Sequence, residues 1–116
     1  MVTFNLMVKS IAYDLDLIFH ALSNSTRRAI LRDISRCEKT IKEIAKPYKM
    51  SLAAVSKHLK MLGSAHLIKH RKEGSFHIIK LNAKGFKSAE QWLSYYQKFW
   101  DRRLDALERL LEEREE

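Results

Sequence analysis

The chain has 116 residues, 46% of them apolar, which suits one compact domain that folds without disulfides or a structural metal. This composition excludes a disordered chain, and no apolar run approaches the ~20 residues that a membrane span needs. With 22 Lys and Arg against 14 Asp and Glu the net charge is +8, and residues 27–72 alone carry +10. Such a concentrated positive charge favours a polyanionic partner such as nucleic acid.

The start of the chain, MVTFNLMVK, has no basic region ahead of an apolar stretch, so we expect no secretory signal peptide and a cytoplasmic protein. One proline and three glycines leave no linker, and helical periodicity prevails. We therefore predict a single domain over residues 1–116, with a core at about 11–86 and a final helix at about 87–113.

Two helices are predicted in the first third of the chain. The first spans about Ile11 to Leu22. The second begins in SNSTRRAIL, where Ser23 or Asn24 can accept a hydrogen bond from an amide of the first turn. Its apolar stripe includes Ile34 and Cys37, so Cys37 is expected to be a small, packed residue.

A short third helix and a longer fourth helix follow. Thr40 and Glu43 have the spacing of a capping box in TIKEIAK, and Pro47 ends that helix. Ser51 is the expected N-cap of the fourth helix, which runs from about Leu52 to Ser64.

The fourth helix, here the reading helix, has two different sides. On a wheel of 100° per residue, Val55, Leu59 and Leu62 face the core. A helix that enters a major groove needs little bulk near its N-terminus and groups that reach base edges or phosphates. Small, hydroxyl and ammonium groups of that kind lie at Ser51, Ala53, Ser56, Lys57 and Lys60, which are the candidate DNA contacts. The other interpretation is an ordinary solvated helix face.

The period then changes to that of strands. HRKEGSFHIIKL predicts two strands around a Glu73-Gly74 turn, with Phe76, Ile78 and Leu81 on the half-buried side. The predicted hairpin has a small, basic tip, which suits contact with a phosphate backbone, although charge at strand edges also keeps hairpins soluble.

Further phosphate contacts are expected from basic residues on the hairpin and on the second helix. They are Arg71, Lys72 and Ser75 on the hairpin, and Arg27 and Arg28 at the start of the second helix. The two arginines of the second helix have an alternative role as ion-pair partners of Asp33 or Glu38.

The last predicted helix, from about Lys87 to Glu113, has an apolar stripe too long for its small core to cover. Such a stripe is typical of an interface. We expect it to pair with a second copy and with the first helix, through Leu15, Phe19, Trp92, Tyr96, Phe99, Trp100, Leu104, Leu107 and Leu111. The predicted fold is therefore mainly α with a small β-hairpin, a winged helix-turn-helix whose long N- and C-terminal helices form a dimer interface.

Four segments carry a family resemblance: IFHALSNSTRRAIL, IKEIAKPYKMSLAAVSKHLKML, HLIKHRKEGSFHIIKLN and WLSYYQKFWDRRLDALERLLEE. Together, over about residues 12–113, they resemble the ArsR family of repressors, and most of all its metal-independent members with a Trp-rich last helix. The resemblance implies a homodimeric repressor on a pseudo-palindromic DNA operator. It also implies that Ser51–Met61 enters the major groove and that the hairpin is the wing.

Two positions depart from the pattern of that family. Ser25 stands where many relatives have proline, and His66 stands where many have glycine just after the reading helix. Glycine adopts a left-handed helix cap at no steric cost, so we expect either strain at His66 or a cap that moves to Gly63.

No metal, cofactor or enzymatic activity is expected. Metal-sensing relatives use paired cysteines near the reading helix or Asp and His sets on the last helix, and this chain has neither. Adjacent strands can bring His70 and His77 together, but such a pair is only a weak indication of a metal site. A lone His58 on the flank of the core face favours a packed structural residue that bonds to backbone, and the alternative is a phosphate or base contact. No Ser/His/Asp set or glycine-rich phosphate loop is present.

The predicted function is a dimeric repressor that binds double-stranded DNA and blocks it, with two reading helices about 34 Å apart in successive major grooves. One alternative is a protein-interaction module that binds a different protein through the aromatic stripe. Another is a sensor in which a ligand or Cys37 oxidation is coupled to DNA release, which requires the two states to differ in DNA affinity.

Overall fold

The structure is a computed structural model that describes residues 15–115. The predicted start of the first helix, residues 11–14, lies outside this range. Along the described chain the elements are the helical residues 15–22 (α1), α2 (Ser25–Arg36), β1 (Lys39–Thr40), α3 (Ile41–Ala45), α4 (Leu52–Ser64), β2 (Ile68–Glu73), β3 (Phe76–Leu81) and α5 (Ala83–Glu115). None of the helices within residues 15–115 is long and apolar enough to cross a membrane.

Three predicted helix starts, those of α2, α3 and α4, are confirmed by their caps, and of the two candidates Ser23 and Asn24 the cap of α2 is Asn24. Asn24 Oδ1 accepts from the Arg27 amide at 3.0 Å, and Ser51 Oγ accepts from the Ala54 amide at 3.1 Å. Thr40 and Glu43 form the predicted capping box. Each cap satisfies an amide that has no partner inside its own helix, which is why these polar residues begin the helices.

The sheet has three strands in the order β1-β3-β2, so the prediction of a two-stranded hairpin was incomplete. The added strand, β1, pairs Lys39 with Ile79 and Thr40 with Ile78. A segment of two residues is too short for an alternating pattern to predict a strand. β1 forms because the backbone groups at the edge of β3 pair with it.

The predicted inner side of β3 was wrong in phase at Phe76 and Ile78, while Leu81 does pack against the core. Ile79 is 2% exposed and belongs to the core, whereas Phe76 is 62% exposed. Ile79 pairs with His70 and shares its side of the sheet with Ile68, which is also buried. Because Ile78 and Ile79 are adjacent, the sequence does not show which of them faces the core. Packing of the sheet against the helices places Ile79 inside.

The core lies where α1, α2, α3, α4 and the sheet meet. Its largest fully buried side chains are Ile18, Ile30, Ile44, Val55, Leu62, Leu67 and Ile79. α5 contributes little, since its only buried residues are Gly85 and Ala89 in the first two turns.

A Schellman turn ends α4 and sets the direction of the wing. The Leu67 amide donates to the Leu62 carbonyl at 3.1 Å and the His66 amide to the Gly63 carbonyl at 3.0 Å. His66 has φ +57°, so the strained left-handed cap stays at His66 and does not move to Gly63.

α5 begins at Ala83, four residues before the predicted start, and packs directly on the Schellman turn. The Gly85 amide donates to the His66 carbonyl at 2.8 Å. A Cβ at Gly85 would lie 2.6 Å from the carbonyl oxygens of Ala65 and His66, so only glycine permits this approach.

Candidate nucleic-acid interface

α4 has one side locked in the core and the other in solvent. Val55, Leu59 and Leu62 are at most 6% exposed, as the wheel predicts. The opposite side is open at all the candidate positions on this helix: Ser51, Ala53, Ser56, Lys57 and Lys60. The solvent-facing N-terminus adds free amides and the positive end of the helix dipole, so this side of α4 is suited to a polyanion.

Sequence reasoning missed Leu52, which is 53% exposed in the first turn of α4. The wheel puts Leu52 about 60° from Val55, on the core side, so periodicity alone assigns it to the core. An exposed apolar side chain at this end of a groove-entering helix can contact a thymine methyl group.

β2 and β3 form the predicted wing, closed by Gly74 and Ser75 between the paired residues Glu73 and Phe76. The loop lies one residue later than predicted, and Gly74 takes the left-handed conformation that a tight hairpin turn requires (φ +58°). Lys72 and Ser75 are both exposed at this tip. The tip is therefore narrow and carries a free ammonium group.

Arg71, on β2 three residues before Gly74, is held by two carboxylates. Its Nη2 lies 3.0 Å from Glu38 Oε1, and its Nε lies 2.9 Å from Glu73 Oε1. Hydrogen bonding to the Arg71 guanidinium lowers the pKa of Glu38, and Glu38 in turn raises the pKa of Arg71. Its hydrogen bonds to the two carboxylates use three of the five guanidinium N–H donors and offset its charge, so strong phosphate binding requires Arg71 to leave these partners.

Arg27 is not available as a phosphate contact in this structure, because it is 7% exposed. Its Nε donates to the Ala21 carbonyl at 2.7 Å and its Nη2 to the His20 carbonyl at 2.9 Å. These carbonyls belong to the last turn of α1, which no further helical turn follows; His20 also accepts from the Ser23 amide at 3.1 Å. Arg27 therefore joins α1 to α2 as a buried structural residue.

Arg27 also contacts a third group, the imidazole of His58 on α4, whose Nδ1 lies 3.3 Å from Arg27 Nη1. Because a guanidinium only donates, His58 Nδ1 is the acceptor of this hydrogen bond. His58 thus has the predicted structural role, but its partner is a side chain and not the backbone.

Arg28 is exposed and makes neither of the alternative ion pairs. Its Nη1 donates to the Leu22 carbonyl at 2.7 Å. Glu38 pairs with Arg71, and Asp33 accepts from the Tyr48 hydroxyl at 3.4 Å. Arg28 keeps free donors that face solvent.

Cys37 is exposed, so its assignment to the apolar stripe of the second helix was wrong. α2 ends at Arg36, and Cys37 takes an extended conformation that turns it away from the helical period. His70 and His77 do meet, with Nε2 of His70 2.8 Å from Nδ1 of His77. Residues 15–115 contain no group of three or more His, Cys, Asp or Glu that could hold a metal ion.

α5 exposes a long apolar stripe after its first two turns. Trp92 packs edge-on against Phe19 of α1, with ring centroids 5.5 Å apart, which is the predicted contact between the last and first helices. From Trp92 to Leu111 the stripe residues are between 39% and 56% exposed: Trp92, Leu93, Tyr96, Phe99, Trp100, Leu104, Leu107 and Leu111. Leu15, the other candidate for the dimer interface, is half-buried on α1.

This arrangement of helices, wing and basic face matches known regulators. A helix-turn-helix domain family model matches residues 22–71. The HTH-type transcriptional regulator Rv2034 of Mycobacterium tuberculosis is 31% identical over 84% of this chain and 88% of its own length. The transcriptional repressor SdpR of Bacillus subtilis is 30% identical over 66% of this chain and 84% of its own length.

A solved structure gives the same assignment. The crystal structure of the ArsR family transcriptional regulator RHA00566 is 34% identical and covers 78% of this chain and 93% of its own, with a TM-score of 0.72. The chain belongs to the ArsR family of winged helix-turn-helix, DNA-binding transcriptional regulators.

Proposed function

We propose that this regulator is a homodimeric repressor that blocks a pseudo-palindromic operator in the cytoplasm. The observation that carries the proposal is the position of α4, whose N-terminus and Ser/Lys side face solvent while its other side is fixed in the core. A helix held in this way can enter a major groove without rearrangement of the domain.

The proposed contacts divide into two kinds. Ala53, Ser56 and Lys57 lie on the solvent side of α4 and are placed to read base edges. Lys60, Lys72, Ser75, Arg28 and the α4 cap Ser51 are proposed phosphate contacts, and Arg71 joins them once its carboxylate partners release it. Arg27 is left out because it is buried.

A homodimer is supported by the exposed stripe of α5, which a single chain leaves in water. Two copies would bring two reading helices to half-sites about one helical turn, ~34 Å, apart. Occlusion of a promoter by such a dimer is repression, and SdpR, a relative of this chain, is named a repressor.

The test is a fluorescence anisotropy titration of the protein with its own upstream DNA and with a shuffled duplex at several salt concentrations. We expect tighter binding to the upstream duplex, at one dimer per duplex. Lys60→Ala should weaken binding at least about tenfold and reduce the salt slope by about one.

The matched control is Lys98→Ala, an exposed lysine on α5 that removes the same charge away from the wing and α4. Its DNA affinity should stay within about twofold of wild type, because a screened charge away from the contact surface adds little. Equal losses in both variants would show only a net-charge effect and contradict the proposed contacts. Heterodimers without self-association would instead support a protein-interaction module.

A further inference from the structure

A cleft of about 260 Å³ lies between the reading helix and the wing. Its floor is apolar and is built by Ile41, Leu59, Ile68 and Ile79, which come from α3, α4, β2 and β3. Leu59, Ile68 and Ile79 are core residues, each at most 6% exposed, so the floor is part of the packed interior and not a mobile surface.

The rim of the cleft is polar and basic. Lys60 lies on the α4 side and His70 on the wing side. Within residues 15–115 Lys60 forms no ion pair, whereas Arg71 on the outer face of the wing has two. His70 is fixed by its hydrogen bond to His77. An apolar floor beneath an ammonium group that has no ion pair suits a ligand with an apolar body and one anionic group at its end.

The end of the cleft is open at Gly63. A Cβ added there would meet no atom within 4 Å, and Gly63 has ordinary helical geometry, since the positive-φ residues are His66 and Gly74. A larger side chain at 63 would therefore grow into the cleft while α4 keeps its shape. This gives a way to fill the cleft without changing Lys60 or the N-terminal half of α4.

We propose that this cleft binds a small monocarboxylate with an apolar body, and that the bound acid weakens DNA binding. At about 30 Å³ per water the cleft equals about nine water volumes, which fits a ligand of about ten non-hydrogen atoms. The carboxylate binds the Lys60 ammonium, with His70 and the Ser56 hydroxyl as further donors. A ligand of this size binds with a Kd of about 10 µM to 1 mM.

The consequence for DNA rests on the proposed function. Ser56 and Lys60 are proposed DNA contacts and also line the cleft. A carboxylate on Lys60 neutralises one phosphate contact and occupies the space between the helix and the wing, where the DNA backbone passes. The acid therefore acts as an inducer that competes with the operator.

The first experiment measures binding without DNA. Octanoate, with ten non-hydrogen atoms, is titrated into the full-length protein and followed by methyl NMR, with octanamide as its uncharged match. We expect saturable shifts at Leu59, Ile68 and Ile79, and a Kd at least about tenfold weaker for octanamide. Gly63→Met should abolish the shifts, and Lys60→Gln should remove the preference for octanoate over octanamide.

Two results would overturn the site. One is the absence of saturable shifts up to 10 mM octanoate, about tenfold above the weakest expected Kd. The other is shifts confined to the α5 stripe and unchanged in Gly63→Met. If Gly63→Met fails to fold by circular dichroism, Gly63→Leu and the Lys60→Gln comparison decide the same question.

The second experiment repeats the operator titration with saturating octanoate. Wild type should lose DNA affinity about tenfold, while Gly63→Met binds the operator as tightly with octanoate as without it. Octanoate that fills the cleft but leaves operator affinity unchanged would overturn the inducer role. A protein that binds octanoate but no DNA would contradict the proposed function and leave the acid site standing.

Discussion

Arg27 illustrates how a single residue can have a role that its type does not reveal. A second arginine follows it in the sequence, and residues 27–72 are strongly basic, both of which suggest a phosphate contact. The fold instead buries Arg27 against the carbonyls of Ala21 and His20. Arg28, one residue later, stays in solvent, since adjacent positions on a helix point about 100° apart.

His66 stores strain that glycine would remove. A left-handed conformation costs a residue with a Cβ about 1–2 kcal/mol, and glycine avoids this cost. Part of the resulting stabilisation is offset because glycine also raises the conformational entropy of the unfolded chain. We expect His66→Gly to stabilise the fold by about 0.5–1 kcal/mol. Urea denaturation at a fixed protein concentration, followed by tryptophan fluorescence, measures this change.

Ser64→Gly is the matched control for His66→Gly. Ser64 lies in the last turn of α4 with ordinary helical geometry, so glycine there should destabilise the protein by about 0.5–1 kcal/mol. If both substitutions lower the urea midpoint, His66 is not strained and the Schellman turn depends on its side chain.

At the scale of the element, the exposed Arg71–Glu38 pair adds a side-chain contact between the wing and the segment before β1, beside the pairing of β3 with β1. Because Arg71 lowers the pKa of Glu38 in the folded state, this pair stabilises the fold at neutral pH and is lost as the pH falls through that lowered pKa. Glu38→Gln should therefore be less stable than wild type at pH 7. The difference should vanish well below pH 4.5, the ordinary pKa of a glutamate.

The same substitution should act in the opposite direction on DNA binding. Glu38→Gln removes the negative charge that pairs with Arg71 of the wing and frees Arg71 for phosphate, so we expect tighter binding and a salt slope steeper by about 0.9. Glu90→Gln on α5 makes the same charge change away from the wing and should leave the slope unchanged. An unaltered slope in Glu38→Gln would mean that Arg71 stays with Glu73 on DNA.

At the scale of the whole molecule, α5 makes the chain elongated. Its 33 residues extend about 50 Å, and the radius of gyration is 19.0 Å, against about 13 Å for a compact domain of 100 residues. A helix that packs only at its first turns gains little from tertiary contacts, which supply most helix stability in proteins. The stripe therefore needs a partner, which we propose is a second copy.

Trp100→Glu tests this requirement. A carboxylate in the centre of the stripe would be buried without a partner on dimerisation, so we expect a monomer that loses helical signal in circular dichroism. Tyr95→Glu is the control, because Tyr95 is 79% exposed and lies about 120° from the centre of the stripe. Sedimentation should give dimers for wild type and Tyr95→Glu. A Trp100→Glu dimer would contradict the α5 interface.

The sequence by itself determined the elements that depend on neighbours along the chain. The caps Asn24, Thr40 and Ser51 and the buried side of α4 follow from hydrogen bonds and periodicity within a few residues, and all of them are confirmed. The order of helices followed by a hairpin also predicted the winged arrangement, and the ArsR resemblance added the homodimeric repressor and the helix that enters the major groove.

Only the tertiary structure decided the features that join distant segments. Glu38 and Arg71 are 33 residues apart, Arg27 and His58 are 31 apart, and β1 exists only where β3 passes it. The cleft likewise needs α3, α4, β2 and β3 together. Residue type and period predicted the contact between the last and first helices and the meeting of His70 with His77. They did not predict the other pairings, which depend on how the elements pack around the core.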